Sequence, residues 1–141
     1  MAKKPTWLYR QSGVIPYRMA DGKPEVLLVT SVRRGRWVIP KGVIERHLTA
    51  AESACKEAWE EAGVRGHVVG RSIGSYEYSK WGGTCSVAVF LMEVETEEDD
   101  WPERKERRRK WHSPKKAAKK VEEPELQELI LAATAKLNGR R

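Results

Sequence analysis

At 141 residues, 40% apolar and 33% charged, the chain is long enough for one domain with a real core, and its composition is that of a soluble globular protein rather than a disordered one. The longest apolar runs, such as SVAVFLM (86–92), are too short to cross a bilayer, and the start, MAKKPTWLYR, lacks the apolar stretch of a secretory leader; a cytoplasmic protein with no membrane role is expected. A formal charge of +7 points to anionic partners (nucleic acid, anionic lipid or phosphorylated metabolites) without choosing between them.

Residues 1–6 read as a loose terminus. GVIPYR (13–18) reads as a strand, and ADGKP (20–24) as a turn. EVLLVTS (25–31) has a continuous apolar centre, which predicts a strand covered on both faces. RRGR (33–36) is a loop, WVIP (37–40) a short strand stopped by Pro40, and Lys41-Gly42 opens a loop to about His47. A helix is predicted over Ala50 to Ala62. Thr49 and Glu52 form a capping-box pair, Gly63 stands where a helix-ending glycine belongs, and Ala51, Ala54, Cys55, Ala58 and Ala62 make a stripe of small side chains. HVVGRSIGSYEYS (67–79) reads as extended and broken near its glycines, KWGG (80–83) as a turn, and TCSVAVFLMEVE (84–95) as a strand. TEEDDWPE (96–103) is an acidic loop, and RRRKWHS (107–113) a strand with a basic face. Ser113-Pro114 starts a short helix to about Val121. A last helix opens at Pro124, with Leu126, Leu129, Ile130, Ala133 and Leu137 as its apolar stripe and Gly139 at its end. This order predicts an α+β fold: a mixed sheet with helices on its faces, in one domain spanning 1–141 with the last helix packed against it.

The stretch KEAWEEAGV (56–64) is unusual for so basic a chain. Glu57, Glu60 and Glu61 share one helical face, away from the alanine stripe, and like charges at this spacing repel. Three carboxylates on one face suit a hard divalent cation together with phosphate oxygens. A solvated helix face is the other reading of the spacing taken alone.

Gly42 followed by KEAWEEAGV resembles the Nudix box, G-x5-E-x7-R-E-U-x-E-E-x-G-U, where U is a bulky apolar residue. Gly42, Glu57, Glu60, Glu61, Gly63 and Val64 match in type and spacing. WVIPKG (37–42) resembles the lead-in to that box. Two positions depart: Leu48 stands at the first motif glutamate and Lys56 at the motif arginine. Lys56 keeps the charge but not the planar fork, and Glu45 is a nearby acid able to stand in for the missing one. The wider pattern, EVLLVTSVRRGRWVIPKG through EEAGVRG to DDWPERKERRRKW, resembles the diphosphoinositol polyphosphate phosphohydrolase branch of the family.

The resemblance implies a Nudix-type α/β/α sandwich and hydrolysis of diphosphate linkages in polyphosphorylated small molecules, such as diphosphoinositol polyphosphates or dinucleoside polyphosphates. It implies Mg²⁺ or Mn²⁺ as cofactor, with Glu57, Glu60, Glu61 and the Gly42 carbonyl as ligands. Glu57, Glu60 and Glu61 would carry the catalysis, one of them as general base. Arg33, Arg34, Arg36 and Lys41 are the candidate substrate-binding cations, each also readable as a solvated side chain. RNA is a second possible partner, because segment 104–120 is basic. A catalytically weak binding module is the third reading, prompted by Leu48 and Lys56 and opposed by the three retained glutamates.

Elsewhere the signals are weaker. Trp37 and Trp111 read as packing residues, whereas Tyr76, Tyr78 and Trp81 are candidates for a pocket wall. His47, His67 and His112 lack metal-ligand spacing, and Cys55 and Cys85 read as small buried side chains rather than a disulfide.

Overall fold

The computed structural model describes residues 8–80 and 82–138. The expectations for residues 1–6, Trp81 and Gly139 lie outside the described residues. In chain order the elements are β1 (Leu8–Ala20), β2 (Lys23–Thr30), β3 (Trp37–Val38), β4 (Lys41–Val43), α1 (Ala50–Ala62), β5 (Val64–Lys80), β6 (Gly83–Glu97), β7 (Arg109–His112), α2 (Pro114–Lys120) and α3 (Pro124–Asn138).

All the strands join one mixed sheet. β1 runs parallel to β6 from Leu8↔Thr84 to Tyr17↔Glu93, and every other pairing is antiparallel. The β1–β2 hairpin turns at Asp21-Gly22, both with positive φ (52° and 76°), a conformation that Asp tolerates and Gly favours. β2 is covered on both faces, as its apolar run predicts. Val26 and Leu28 join a core with Ile15, Val87 and Val89 under α2 and α3, while Leu27 and Val29 join a second core with Val14, Ala54, Ala58 and Ala62 under α1. One helix on one face and two on the other make the predicted α/β/α sandwich. The α3 stripe of Leu126, Ile130, Ala133 and Leu137 is buried in the first core.

The strands are longer than their apolar runs, because ladder hydrogen bonds extend into polar residues at both ends of β1, β5 and β6. One assignment is corrected. Lys41-Gly42, expected to open a loop, lies in strand β4, which pairs with β1 at Gln11↔Val43, Ser12↔Gly42 and Gly13↔Lys41. Three residues carry too little periodicity to reveal a strand, and the pairing comes entirely from β1. Gly13 is required there, because a Cβ at that position would meet the Pro40 carbonyl at 2.7 Å and Lys41 Cβ at 2.9 Å. That close approach brings Lys41 and Gly42 beneath the C-terminal half of α1.

Candidate functional site: the acidic end of helix α1

α1 begins as its sequence dictates. The Thr49 hydroxyl accepts from the Glu52 amide at 3.0 Å, and the Glu52 carboxylate accepts from the Thr49 amide at 2.8 Å. The helix ends at Gly63, in the left-handed region with φ 69°. Ala54, Ala58 and Ala62 are fully buried against the sheet, so the helix axis lies close to it, and this closeness brings the acids near the strands.

The three glutamates are not equivalent. Glu61 is buried at 6% exposure, whereas Glu57 and Glu60 are half-exposed. Glu61 Oε1 accepts from the Lys41 backbone amide at 3.2 Å, and Oε2 faces the Arg107 guanidinium at 3.4 Å. Glu57 packs against Gly42 so closely that any Cβ at position 42 would overlap its carboxyl group; this glycine is a requirement of space. The Glu57 and Glu61 carboxyls lie within hydrogen-bonding reach of each other. Two ionised carboxylates cannot hold such a contact without a positive charge or a shared proton. Burial, and then the charge on Glu60, push the Glu57 carboxyl up to about 7, against the pull of its bond to Glu61. Burial pushes Glu61 up to about 8, with Arg107 opposing and Glu57 reinforcing the rise.

The segment after β6 clamps this end of the helix. The last carbonyls of a helix lack intrahelical donors, and here a run of four is satisfied from outside. Glu60 O accepts from Glu103 N at 3.0 Å and Glu61 O from the Trp101 indole at 3.0 Å. Ala62 O accepts from Arg109 Nη1 and Gly63 O from Glu98 N, both at 2.8 Å. Trp101 and Arg109 fit only because residue 63 has no side chain: a Cβ there would meet each of them at 2.8 Å.

The two departures from the family box are Leu48 and Lys56. Lys56 Nζ reaches Glu45 at 2.6 Å, with Glu60 at 3.9 Å. Lys56 thereby ties the loop before α1, through Glu45, to the helix. Leu48, half-buried, needs no charged partner.

Of the candidate substrate cations, Lys41 stands at the site. Its Nζ lies 5.1 Å from the Tyr78 ring centre, and burial pulls its ammonium below the usual range against the attraction of Glu61 and Glu123. Arg33 and Arg34 are exposed on the β2–β3 turn. Arg36 is engaged by Glu122 at 2.6 Å, which ties that turn to the α2–α3 junction. A shallow groove of about 240 Å³, lined by Val32, Gly35, Arg104, Lys105 and Arg108, brings the RRGR turn beside the late basic segment.

Tyr76 is in the core at 2% exposure, so it does not offer the pocket wall expected of it. Tyr78, half-buried, donates from its hydroxyl to Gln11 at 2.7 Å. Trp37 and Trp111 are packed against the two cores, as read, and His47 is exposed. Cys85 is buried and Cys55 half-buried, both as free thiols.

Sequence reasoning missed Arg107, Trp101 and Arg109. The signal lay in strand alternation: Arg107, Arg109 and Trp111 fall on one face of the β7 segment, and Arg108, Lys110 and His112 on the other. Arg107 and Arg109 are only 13% and 15% exposed at their side chains, whereas Arg108 and Lys110 carry the expected basic face.

A hard divalent cation fits this donor set. Oxygen is the only ligand type on offer from Glu57, Glu60, Glu61 and the Gly42 carbonyl, and added positive charge would relieve the crowding of the Glu57 and Glu61 carboxyls. Among the described residues, no three acidic, His or Cys side chains already converge on one point.

A family model described as NUDIX domain matches residues 9–132. "Nudix hydrolase 12, mitochondrial" of Arabidopsis thaliana is 39% identical over 127 residues, covering 75% of this chain and 63% of that protein. "Diphosphoinositol polyphosphate phosphohydrolase 3-beta" of Bos taurus is 32% identical over 103 residues, covering 71% of this chain and 62% of that protein. This chain therefore spans less than two thirds of the length of either relative. Among solved structures, a C. elegans Ap4A hydrolase binary complex superposes with a TM-score of 0.79 at 24% identity, covering 94% of this chain and 99% of that one; the shared feature is the fold.

Proposed function

Because the chain belongs to the NUDIX domain family, we propose that it is a Mg²⁺- or Mn²⁺-dependent pyrophosphohydrolase. It cuts phosphoanhydride bonds in polyphosphorylated small molecules, either diphosphoinositol polyphosphates or dinucleoside polyphosphates. The observation that carries this reading is the crowding of the Glu57 and Glu61 carboxyls beside Gly42, where a cation would replace the proton the pair otherwise keeps. When bound, the ion neutralises phosphate oxygens and lowers the pKa of water.

The chain's own residues have separate tasks. Glu61, held through both oxygens, and Glu60 serve as ligands with the Gly42 carbonyl. Glu57, the member of the touching pair that reaches solvent, is a ligand and the acceptor of the water proton. Lys41 takes a phosphate oxygen, and Arg33 and Arg34 draw anionic substrate towards the cleft. Arg36 joins them only when a phosphate displaces Glu122. The name of the Bos taurus relative supports the diphosphoinositol polyphosphate class. No helix among the described residues is long and apolar enough to cross a membrane.

The test is incubation of purified protein with Mg²⁺ and a panel of dinucleoside polyphosphates, diphosphoinositol polyphosphates, nucleotide sugars, nucleoside triphosphates and 5′-triphosphate RNA, with products identified by mass. Cleavage of an anhydride in one of the first two groups, abolished by chelator and by Glu61→Gln, is expected. A preference for the RNA over every small molecule would transfer the substrate class to RNA ends. No product from any compound with Mg²⁺ or Mn²⁺ would overturn the assignment.

A further inference from the structure

We propose that Arg107 is a positioning residue for Glu61: a guanidinium brought from outside the box that fixes the orientation of its most buried acid. The proposal rests on the reading of Glu61 as a metal ligand and concerns how this chain holds it.

Arg107 is 13% exposed at its side chain, and each of its three nitrogens has a partner on a different element. Nη1 donates to the Thr30 carbonyl at the end of β2, at 3.0 Å. Nε donates to Glu103 Oε1 at 2.7 Å. Nη2 faces Glu61 Oε2 at 3.4 Å. The first two contacts fix the plane of the fork, so the third nitrogen has one direction in which to point. Glu103 is itself fixed, because its backbone amide bonds the Glu60 carbonyl at 3.0 Å. The guanidinium is thus referenced both to the sheet, through Thr30, and to the helix that carries Glu61.

On its other oxygen Glu61 meets the Lys41 amide at 3.2 Å. A carboxyl group hydrogen-bonded at one oxygen and paired with a guanidinium at the other is restrained in its rotamer, and a metal ligand profits from this, since groups that orient a ligand affect the ion through it. Lys56, at the family's arginine position, cannot supply this restraint. Its ammonium is a point charge without a fork, and it faces Glu45 and Glu60 on the exposed side of the helix. Arg107 acts on the acid that Lys56 does not touch.

The experiment compares wild type with Arg107→Met, Arg107→Lys and Glu103→Gln, all as the full chain. Mn²⁺ binding without substrate is followed by calorimetry and by the Mn²⁺ EPR spectrum, and kcat and KM are measured at saturating Mn²⁺ on whichever compound the wild type cleaves. Arg107→Met is expected to change the EPR spectrum of bound Mn²⁺ and to lower kcat by roughly 10–100-fold with little change in KM, the size typical for the loss of a ligand-orienting group. Arg107→Lys, which keeps charge without the fork, should recover only part of that loss. Glu103→Gln, which loosens Arg107 without removing it, should shift both readouts in the same direction by less.

An EPR spectrum and kcat matching wild type in Arg107→Met would overturn the proposal. So would a rise in KM at constant kcat, the mark of a direct substrate contact. If Arg107→Met fails to fold, unchanged EPR and kcat in both Arg107→Lys and Glu103→Gln would overturn it instead. The EPR arm needs no turnover, so an error in the proposed reaction and an error in the role of Arg107 give different results.

Discussion

The carboxyl groups of Glu57 and Glu61 lie within hydrogen-bonding reach, one turn apart on α1, with Gly42 against the first and Arg107 against the second. Their contact gives the ion-free protein a specific dependence on pH. Both carboxyls keep their protons in the folded chain up to about 7 and about 8, far above the ordinary carboxylate value. Between the unfolded and folded values the native state binds more protons than the unfolded one, so stability falls as pH rises through that window. In chelator, the melting temperature should decline from about pH 5 to about pH 8, and saturating Mg²⁺ should reduce the decline by replacing the protons with positive charge. Equal slopes with and without Mg²⁺ would place the ion elsewhere.

Glu57→Gln separates stability from activity. An amide can donate to Glu61 as the protonated acid does, without charge to desolvate. The ion-free variant should therefore melt at or above the wild-type temperature at pH 8, while turnover with Mg²⁺ falls by about two orders of magnitude or more. A variant that loses stability and keeps its activity would contradict both roles given to Glu57.

Gly42→Ala should strike the site harder than the fold. The added methyl overlaps the Glu57 carboxyl group, a flexible side-chain end that can swing away. A modest cost of about 1–3 kcal/mol is expected from denaturant melts, together with a loss of activity on the order of a hundredfold as the acid leaves its place.

At Gly63 the balance reverses. A left-handed φ of 69° disfavours any side chain, by about 1–2 kcal/mol, and the methyl of alanine would meet Trp101 and Arg109 at 2.8 Å. Gly63→Ala should lower the melting temperature markedly, and native-state hydrogen exchange should rise at the amides of Glu98 and Glu103, which cap this helix end.

The pair Glu45–Lys56 is exposed, at 37% and 44% of its side chains. A double-mutant cycle with alanine at both positions should therefore give a coupling close to zero, because solvent screens the pair. Lys56→Arg should melt close to wild type, since an arginine can reach the same carboxylate.

α1 was legible in the sequence because everything that defines it is local: the Thr49–Glu52 box, the alanine stripe and Gly63 lie within fifteen residues. The same holds for β2, whose unbroken apolar run needs two covered faces. β4 was illegible because three residues carry no period of their own; it is a strand because β1 pairs with it. The acids were found through their spacing, but their inequality was not. Glu61 is buried because Lys41 and Arg107 approach it from two other parts of the chain, and no spacing within KEAWEEAGV encodes that. Arg107 was hidden by its neighbours, since in a run of three arginines composition suggests one basic face, and only strand alternation separates the inward from the outward side chains. Arg36 shows the converse: a cation in a suggestive loop is engaged by Glu122, an acid whose proximity depends on the α2–α3 junction.

The parallel ladder between β1 and β6 fixes when the protein can begin to work. Leu8 finds its partner at Thr84, more than seventy residues later, and α1 lies between them in the chain. A ribosome must therefore release more than half of the polypeptide before β1, already paired with β2 and β4, gains β6 as a neighbour. During synthesis the acidic helix follows β1, β2 and β4, which can already pair beneath it, but it forms before β6 and Arg107 are in place. Assembly of the cleft is consequently a late event, governed by loop closure over a long stretch of chain.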